Sequence, residues 1–435
     1  MHAQIWRFAI PMILSNLSVP LLGAVDTAVV GHLDEPYHIG AVAIGAMIFG
    51  IVFWGFGFLR MGTTGITAQI YGQREMVELR LSLIRGVLVA LLISFVLLIF
   101  KNNIADFAFY FIEATENVTS HARVYFNIRI MSSPATLINY VLLGWFLGMQ
   151  NAKFALYHML FVNSINMLLD YLFVIKFGQG ANGVAWASLI AEYCGLVIGL
   201  ALVKSVLHDH PGKWLWQGLL DKDKIVRLVL INKNIFIRTL CLMFTLAYFT
   251  AQGSRMGEVV LATNALLFNF QTFMAYGLDG LAHAAEAMVG RAVGEKNRQL
   301  FYSSVIIILF WSVIVSICFA IFYAFFGYNL IALLTDIDAL RENADNYLIW
   351  IVILPLVSVW SFVFDGVYIG STRVVEMRNI MLLATFAFFL PSWYFLQGWG
   401  NHGLWLAFVI FMFTRGLIMA VIFLRINQRH GFITD

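Results

Sequence analysis

The sequence predicts an all-α polytopic membrane protein with twelve transmembrane helices in two six-helix lobes. Of its 435 residues, 61% are hydrophobic and 12% are charged, about half the charged share of soluble proteins. The apolar residues form continuous runs, whereas barrel strands would alternate apolar and polar residues. The two halves of the chain also resemble each other. A net charge of +3 is too small to indicate nucleic-acid binding.

Twelve apolar segments are long enough to cross the hydrocarbon core, which takes about 20 helical residues. They are residues 5–31, 40–70, 82–100, 122–148, 154–176, 183–206, 234–255, 259–289, 302–333, 346–370, 378–397 and 402–424. The longest polar stretch, residues 207–233, lies at the midpoint. We expect it to be a cytoplasmic linker between an N-terminal lobe, residues 1–206, and a C-terminal lobe, residues 234–435.

The distribution of Lys and Arg predicts the orientation of the chain. The two termini and the even-numbered loops, with adjoining helix ends, carry 19 of the 27 basic residues, whereas the odd-numbered loops carry five. Because cytoplasmic loops are enriched in Lys and Arg, both termini are expected in the cytoplasm.

A parallel internal repeat relates the two halves at an offset of about 220 residues. The glycine pair Gly144–Gly148 recurs as Gly366–Gly370, and six helices per half give both halves the same topology. Such halves usually enclose a cavity and rock against each other. At an offset of 219, Arg60 falls opposite Asp279, so we expect opposite charges at equivalent positions. One half would then hold a coupling ion and the other would help to hold a cationic substrate.

Ionisable side chains inside the spans are functional candidates, because each costs a few kcal/mol or more at that depth. Asp26, in the first span, has no basic residue within one helical turn. A carboxyl buried without a cation favours its neutral form, so Asp26 can bind and release a proton or Na⁺. The alternative is a structural acid that accepts hydrogen bonds from Thr27 and neighbouring helices.

A second polar group is predicted on the fourth to sixth spans. Asn166 and Asp170 are four residues apart and share one face of the fifth span. Their oxygens suit a hard cation or a proton network, and Ser188 and Tyr125 can add hydroxyls from neighbouring spans. The alternative is hydrogen bonding that only joins helices.

The second half carries its own intramembrane groups. Asp279, His283 and Glu286 form one stripe on the eighth span, which can line a cavity or titrate. Glu286 is equally well explained as a structural acid that reaches the membrane surface. Asp365, in the tenth span, is either a second ion site or a hydrogen-bond acceptor in gating. Glu192, in the sixth span, is expected to be structural.

Aromatic and methionine side chains on the second and eighth spans either pack against lipid and helices or line a cavity. They are Phe53, Trp54, Phe58, Phe270, Phe273 and Met274. An apolar wall with a few acids suits an amphipathic organic cation. The sequence has no Walker A motif, Cys/His metal spacing or G-x-S-x-G elbow. We therefore expect neither an enzyme nor a resident cofactor or metal.

Four motifs are spread over nearly the whole chain. They are Ile10-Pro11 through Leu33, Arg60–Gly65 with Thr67-Ala68-Gln69, Tyr276–Gly280 with Glu286-Ala287, and Phe364–Gly366 through Asn379. They resemble motifs of the multidrug and toxic compound extrusion (MATE) family, most closely its bacterial DinF branch. The resemblance implies a two-lobe, twelve-helix antiporter that exports drugs in exchange for H⁺ or Na⁺.

The resemblance also implies an ion-linked site in the first lobe. The family's residues fall on Asp26, Tyr125, Asn166, Asp170 and Ser188. Ser188 stands where relatives have Thr. Other branches place a cation site on acids of the seventh and tenth helices, but here the seventh span offers only Glu258, at its outward edge. The resemblance therefore favours protons.

The resulting prediction is a proton-coupled antiporter that exports cationic amphipathic drugs by alternating access. It would act as a monomer in the bacterial inner membrane, with organic cations, the coupling ion and lipid as its partners. Two alternatives stay open. One is a Na⁺-coupled exporter, and the other is a flippase for lipid-linked saccharides on the same two-lobe plan. A flippase would need a more basic cavity for pyrophosphate.

Overall fold

The computed structural model describes residues 1–31, 37–112, 114–213, 218–429 and 431–433, without the side chains of Ala24, Thr27 and Arg429. Within these ranges the chain is helical and contains no β-strand, so the predicted all-α class is confirmed. Ten helical stretches in the described chain are long and apolar enough to cross a membrane. One of them, Val374–Gln428, contains the last two predicted spans.

In the described residues, nine α-helices precede the midpoint of the chain. They are α1 His2–Gly31, α2 Tyr37–Gly55, α3 Phe58–Gln73, α4 Met76–Ile99, α5 Lys101–Tyr110, α6 Glu116–Arg129, α7 Ser133–Gly148, α8 Ala152–Asp170 and α9 Gly180–Asp209. The second predicted span is broken into α2 and α3 at a turn that follows Gly55. The short helix α5 was not predicted, because its polar residues are typical of a connection between spans.

Seven α-helices follow the midpoint in the part of the chain that the structure describes. They are α10 Lys222–Arg255, α11 Glu258–Gly294, α12 Arg298–Leu334, α13 Asp338–Gly370, α14 Val374–Leu383, α15 Leu390–Leu396 and α16 Gly400–Arg429. Two π-helical segments widen the helical path, Tyr171–Lys176 after α8 and Ala384–Phe389 between α14 and α15. Such segments frequently occur at functional sites.

The chain divides into two compact units. The N-terminal unit is Leu14–Val229, and the C-terminal unit is Met1–Ile13 together with Leu230–Asp435. The helices α1 and α10 therefore each contribute residues to both units. Most of the predicted linker, up to residue 229, belongs to the N-terminal unit.

Apolar side chains cover the outside of the long helices. On α4, Leu92 and Phe95 are 64% and 62% exposed, and on α12, Ile306 and Phe325 are 64% and 77% exposed. A soluble monomer rarely exposes so much contiguous apolar surface. These faces are therefore suited to contact with lipid.

Glycines on α7 allow it to pack closely against α3 in the N-terminal unit. A Cβ atom at Gly148 would lie 2.5 Å from the Cβ of Thr67 and 2.9 Å from the backbone nitrogen of Ala68. One turn earlier, a Cβ atom at Gly144 would collide with the carbonyl oxygen of Arg60. The two backbones touch because neither glycine has a side chain.

The C-terminal unit repeats this contact between α13 and α11. Gly366 faces the carbonyl oxygen of Ala282, and Gly370 faces the α11 backbone one turn further on. Each partner lies 222 residues after its N-terminal counterpart. Ala282 is therefore the structural equivalent of Arg60, and the predicted pairing of Arg60 with Asp279 is wrong by three residues. The two halves differ in length here because α11 is continuous, whereas the first half breaks between α2 and α3.

Candidate functional site

Two carboxyl groups meet in the N-terminal unit. Asp26, half-buried, lies near the end of α1, and Asp170, fully buried, is the last residue of α8, directly before the π-helical segment. Their carboxyl groups lie within hydrogen-bond reach of each other. Among the described residues, neither oxygen of Asp170 nor Oδ1 of Asp26 accepts a hydrogen bond from a donor group. Two carboxyls share a hydrogen bond only when one is protonated, so this pair is built to hold a proton.

The predicted amide–hydroxyl pair lies one turn from this carboxyl pair. Asn166 Nδ2 donates to Ser188 Oγ of α9 at 2.9 Å, and Asn163 Nδ2 donates to Ser18 Oγ of α1 at 2.7 Å. In the described chain Asn166 Oδ1 has no hydrogen-bond partner. The polar face of α8 thus joins α1 and α9 and leaves an amide oxygen available.

Tyr125 of α6 belongs to the same neighbourhood. Its ring is 4% exposed and packs against Phe49 of α2, where Gly45 leaves room for it. Its hydroxyl lies within reach of the Arg129 guanidinium and close to both carboxyls, Asp26 and Asp170. The five residues predicted for ion coupling therefore all lie in the N-terminal unit, on four different helices. The suggested hydrogen bond from Thr27 lies outside the described side chains.

Arg129 corrects the expectation that Asp26 has no cation nearby. The guanidinium of Arg129, at the end of α6, lies close enough to Asp26 and Asp170 for its charge to act on both carboxyls. It also lies 3.6 Å from Glu192 Oε1 of α9. A search along one helix missed it because the contact crosses between helices. The signal was present, since an Arg inside an apolar span is itself a functional candidate.

In the C-terminal unit, Asp365 of α13 is held by two arginines. Arg238 of α10 and Arg415 of α16 each donate from Nη2 to Asp365 Oδ2. All three side chains are buried. Of the two roles left open for Asp365, this geometry favours the hydrogen-bond acceptor, because two guanidinium groups occupy the place that a coupling cation would take.

The stripe on α11 is also buried. His283 Nδ1 lies 3.4 Å from Glu286 Oε1, and these residues are 6% and 2% exposed. Glu286 does not extend to the surface, so the alternative of a surface-reaching acid is wrong. Asp279 is half-buried, and its charge acts on Arg415.

The remaining predicted residues divide by burial. Arg60 is half-buried, and its charge acts on the buried Tyr140. Of the six aromatic and methionine side chains proposed for a cavity wall, four are buried within their own units and do not line an open surface. These are Phe53, Phe58, Phe270 and Met274. Trp54 and Phe273 are 44% and 48% exposed.

A cavity of about 120 Å³ lies elsewhere in the N-terminal unit, between α3, α4 and the start of α10. Its walls carry both signs of charge, with Glu78 bound to Arg85 at 2.5 Å and to Lys224 at 2.7 Å. None of the residues predicted for ion coupling lines it.

Comparison with known proteins decides the family. The MatE family model matches residues 11–172 and 235–394, one match in each half of the chain. The chain belongs to the MatE family. It is 40% identical over 432 residues to DNA damage-inducible protein F of Escherichia coli K12, covering 98% of this chain and 93% of the relative. It is 24% identical to a probable multidrug resistance protein NorM of Bacillus cereus, covering 96% and 92%.

A solved structure confirms the fold of this MatE chain. A mutant of the Vibrio cholerae MATE transporter VcmN superposes with a TM-score of 0.89 at 19% identity, covering 99% of this chain and 98% of that one. The predicted two-lobe, twelve-helix plan is therefore confirmed. The chain is a polytopic membrane protein and a multidrug and toxic-compound efflux transporter of this family.

Proposed function

We propose that this MatE chain is a proton-coupled antiporter that exports cationic amphipathic compounds by alternating access. The observation that carries the proposal is the carboxyl pair Asp26–Asp170, whose two members lie within hydrogen-bond reach of each other and have buried oxygens without donors in the described chain. One proton satisfies both groups at once. The names of several relatives as probable multidrug resistance proteins support the substrate class.

The pair can couple proton movement to export through its charge. When ionised, it is attracted to Arg129 and favours a cationic substrate in the same transporter. A proton that enters from outside cancels one negative charge, so the site then releases its cation outward. Each proton that moves inward through a potential of about 100 mV supplies about 2.3 kcal/mol, which drives export without ATP.

Na⁺ coupling is the second candidate, and one observation favours it. Asp26 Oδ1, both oxygens of Asp170 and Asn166 Oδ1 are buried without hydrogen-bond donors among the described residues, and such hard oxygens suit Na⁺. Arg129 argues for the proton, because its charge repels a second cation beside the same carboxyls. A flippase for pyrophosphate-linked lipids is disfavoured by the same carboxyl pair.

We also propose the setting in which the transporter works. The excess of Lys and Arg in the termini and even-numbered loops supports an inner-membrane protein with both termini in the cytoplasm. It would act as a monomer, since each chain carries both halves of the repeat. No enzymatic step or resident cofactor is part of the proposal.

Dye transport tests the coupling ion. Purified protein in proteoliposomes loaded with acidic buffer should accumulate ethidium from a neutral medium, followed by its fluorescence, whereas an outward Na⁺ gradient at equal pH should not drive uptake. Asp26→Asn should abolish the pH-driven uptake. Asp106→Asn is the matched control, because Asp106 is an exposed acid paired with Arg123 at 2.7 Å. Uptake driven only by Na⁺, or unchanged by Asp26→Asn, contradicts the proposal.

A further inference from the structure

Arg129 lies between two acidic partners in the N-terminal unit. On one side are the carboxyls of Asp26 and Asp170, on which its charge acts. On the other side Glu192 Oε1 lies 3.6 Å from Arg129 Nη2, too long for a direct hydrogen bond and short enough for strong attraction. The guanidinium is therefore shared between the carboxyl pair and Glu192.

The surroundings of Arg129 hold it in this shared position. Its Nη1 donates to Ser132 Oγ at 2.5 Å, and its guanidinium lies over the ring of Phe53 at 5.5 Å and near that of Phe49 at 5.9 Å. The side chain is only 15% exposed. Because water screens such a site poorly, a change in the charge of one partner alters the attraction to the other.

Glu192 leads from Arg129 into the packing of three helices. Asn139 Nδ2 of α7 donates to Glu192 Oε2 at 2.9 Å and to the Glu192 carbonyl oxygen at 3.0 Å. Asn139 Oδ1 lies 3.2 Å from His158 Nε2 of α8, which also lies 3.1 Å from the carbonyl oxygen of Gly195 on α9. A continuous hydrogen-bond network thus runs from Glu192 through α7 to α8 and α9.

We propose that Arg129 is a counterion shared between the Asp26–Asp170 pair and Glu192, and that Glu192 is a positioning residue for ion coupling. The inference rests on the proposed function of the carboxyl pair. When that pair takes up a proton, its hold on Arg129 weakens and Arg129 closes on Glu192. The charge state of the pair is thereby transmitted to Asn139 and to the contacts between α7, α8 and α9.

The other ionisable groups around Arg129 do not supply this switch. They are Tyr125 of α6 and Tyr140 of α7, with Arg60 of α3 acting on Tyr140. Tyrosine hydroxyls stay neutral and arginine stays charged at the pH values at which transport works. His158 is two hydrogen bonds away from Glu192, and both acceptors of its Nε2 suit a neutral ring. The variable charges facing Arg129 are therefore those of Asp26, Asp170 and Glu192.

Opposite changes are expected from removing the two sides of the Arg129–Glu192 pair. Glu192→Gln leaves Arg129 wholly to the carboxyl pair and stabilises its ionised form. Ethidium binding to purified protein should then be lost at a pH about one unit lower than in the wild type. Arg129→Gln removes the cation, so binding should be lost at a pH about one unit higher. Arg129→Lys, which keeps the charge, should lie close to the wild type.

The double variant separates a shared counterion from two independent effects. In the Arg129→Gln background, Glu192→Gln should shift the pH midpoint of ethidium binding by less than half of its shift in the wild type. An equal shift in both backgrounds, or no shift from Glu192→Gln, overturns the inference. Glu78→Gln is the control, because Glu78 pairs with a different arginine, Arg85; its midpoint should match the wild type.

The same measurements distinguish failure of this inference from failure of the proposed function. If Asp26→Asn makes ethidium binding independent of pH while Glu192→Gln leaves the midpoint unchanged, the carboxyl pair couples protons and the shared counterion is wrong. If Asp26→Asn keeps the wild-type pH dependence, the proposed proton site is wrong. Should Arg129→Gln not fold, the comparison of Glu192→Gln with Glu192→Asp decides, since only the charge-retaining variant should keep the wild-type midpoint.

Discussion

The contact between α11 and α13 predicts the effect of adding one methyl group at Gly370. A Cβ atom there would lie 2.5 Å from the carbonyl oxygen of Glu286, 3.0 Å from the backbone nitrogen of Gly290 and 3.2 Å from the carbonyl carbon of Glu286. All three atoms belong to the backbone, so no side chain can rotate away. The helices must separate by at least 0.5 Å to bring the oxygen to 3.0 Å, the shortest distance that Cβ atoms tolerate.

This separation opens a tightly packed interface along several turns. Overpacking of this kind costs about 1–3 kcal/mol, and the higher helix propensity of Ala returns up to about 1 kcal/mol. We therefore expect Gly370→Ala to lower the free energy of unfolding by about 1–2 kcal/mol. Gly148→Ala, at the equivalent position of the N-terminal unit, should behave similarly, because its Cβ would lie 2.9 Å from the Ala68 backbone nitrogen.

Thermal unfolding of the purified protein in detergent, followed by loss of the monodisperse chromatographic peak, measures the effect. Gly50→Ala is the matched control, since nothing lies within 4 Å of a Cβ atom at this helical position. It should unfold at the wild-type temperature or slightly above, whereas Gly370→Ala should unfold several degrees lower. Equal midpoints for the two variants would refute the close backbone contact.

Two further predictions concern buried polar contacts of the C-terminal unit and use the same thermal assay. Asp365→Asn leaves Arg238 and Arg415 buried without this counter-charge, so it should lower stability by about 3–5 kcal/mol; an unchanged midpoint would show that the two arginines do not depend on Asp365. Asn264→Ala removes the amide that pairs with Asn401 and accepts from Trp405 Nε1 at 2.9 Å, at a cost of about 1–3 kcal/mol. The exposed Asn269→Ala is its control, and equal losses in both would contradict a specific role for Asn264.

The outcome at individual residues shows which features local sequence patterns reveal. Asn166 and Asp170 were placed on one face because helix geometry stacks residues four apart, and the structure has Asn166 bonded to Ser188 of α9. The close approach of Gly366 and Gly370 to α11 was likewise marked by their spacing. Such features depend on the period of the helix, which is a local property.

Contacts between helices were less predictable. Arg129 and Glu192 are 63 residues apart in the chain, and Arg238 and Asp365 are 127 apart. No local pattern links such pairs, since any helix of a bundle can in principle face any other. The wrong pairing of Arg60 with Asp279 has a related cause, because one broken helix changes the register between the two halves.

The sequence by itself determined that this protein is a helical membrane transporter of two related halves, because apolar runs of span length have one stable form in lipid. It also determined which side chains are costly enough in that setting to carry the transport function. Tertiary structure alone decided which of these charges meet. It placed Arg129 between Glu192 and the Asp26–Asp170 pair and closed two arginines around Asp365. The physical reason is that buried charges are stabilised by partners in space, and those partners come from other helices.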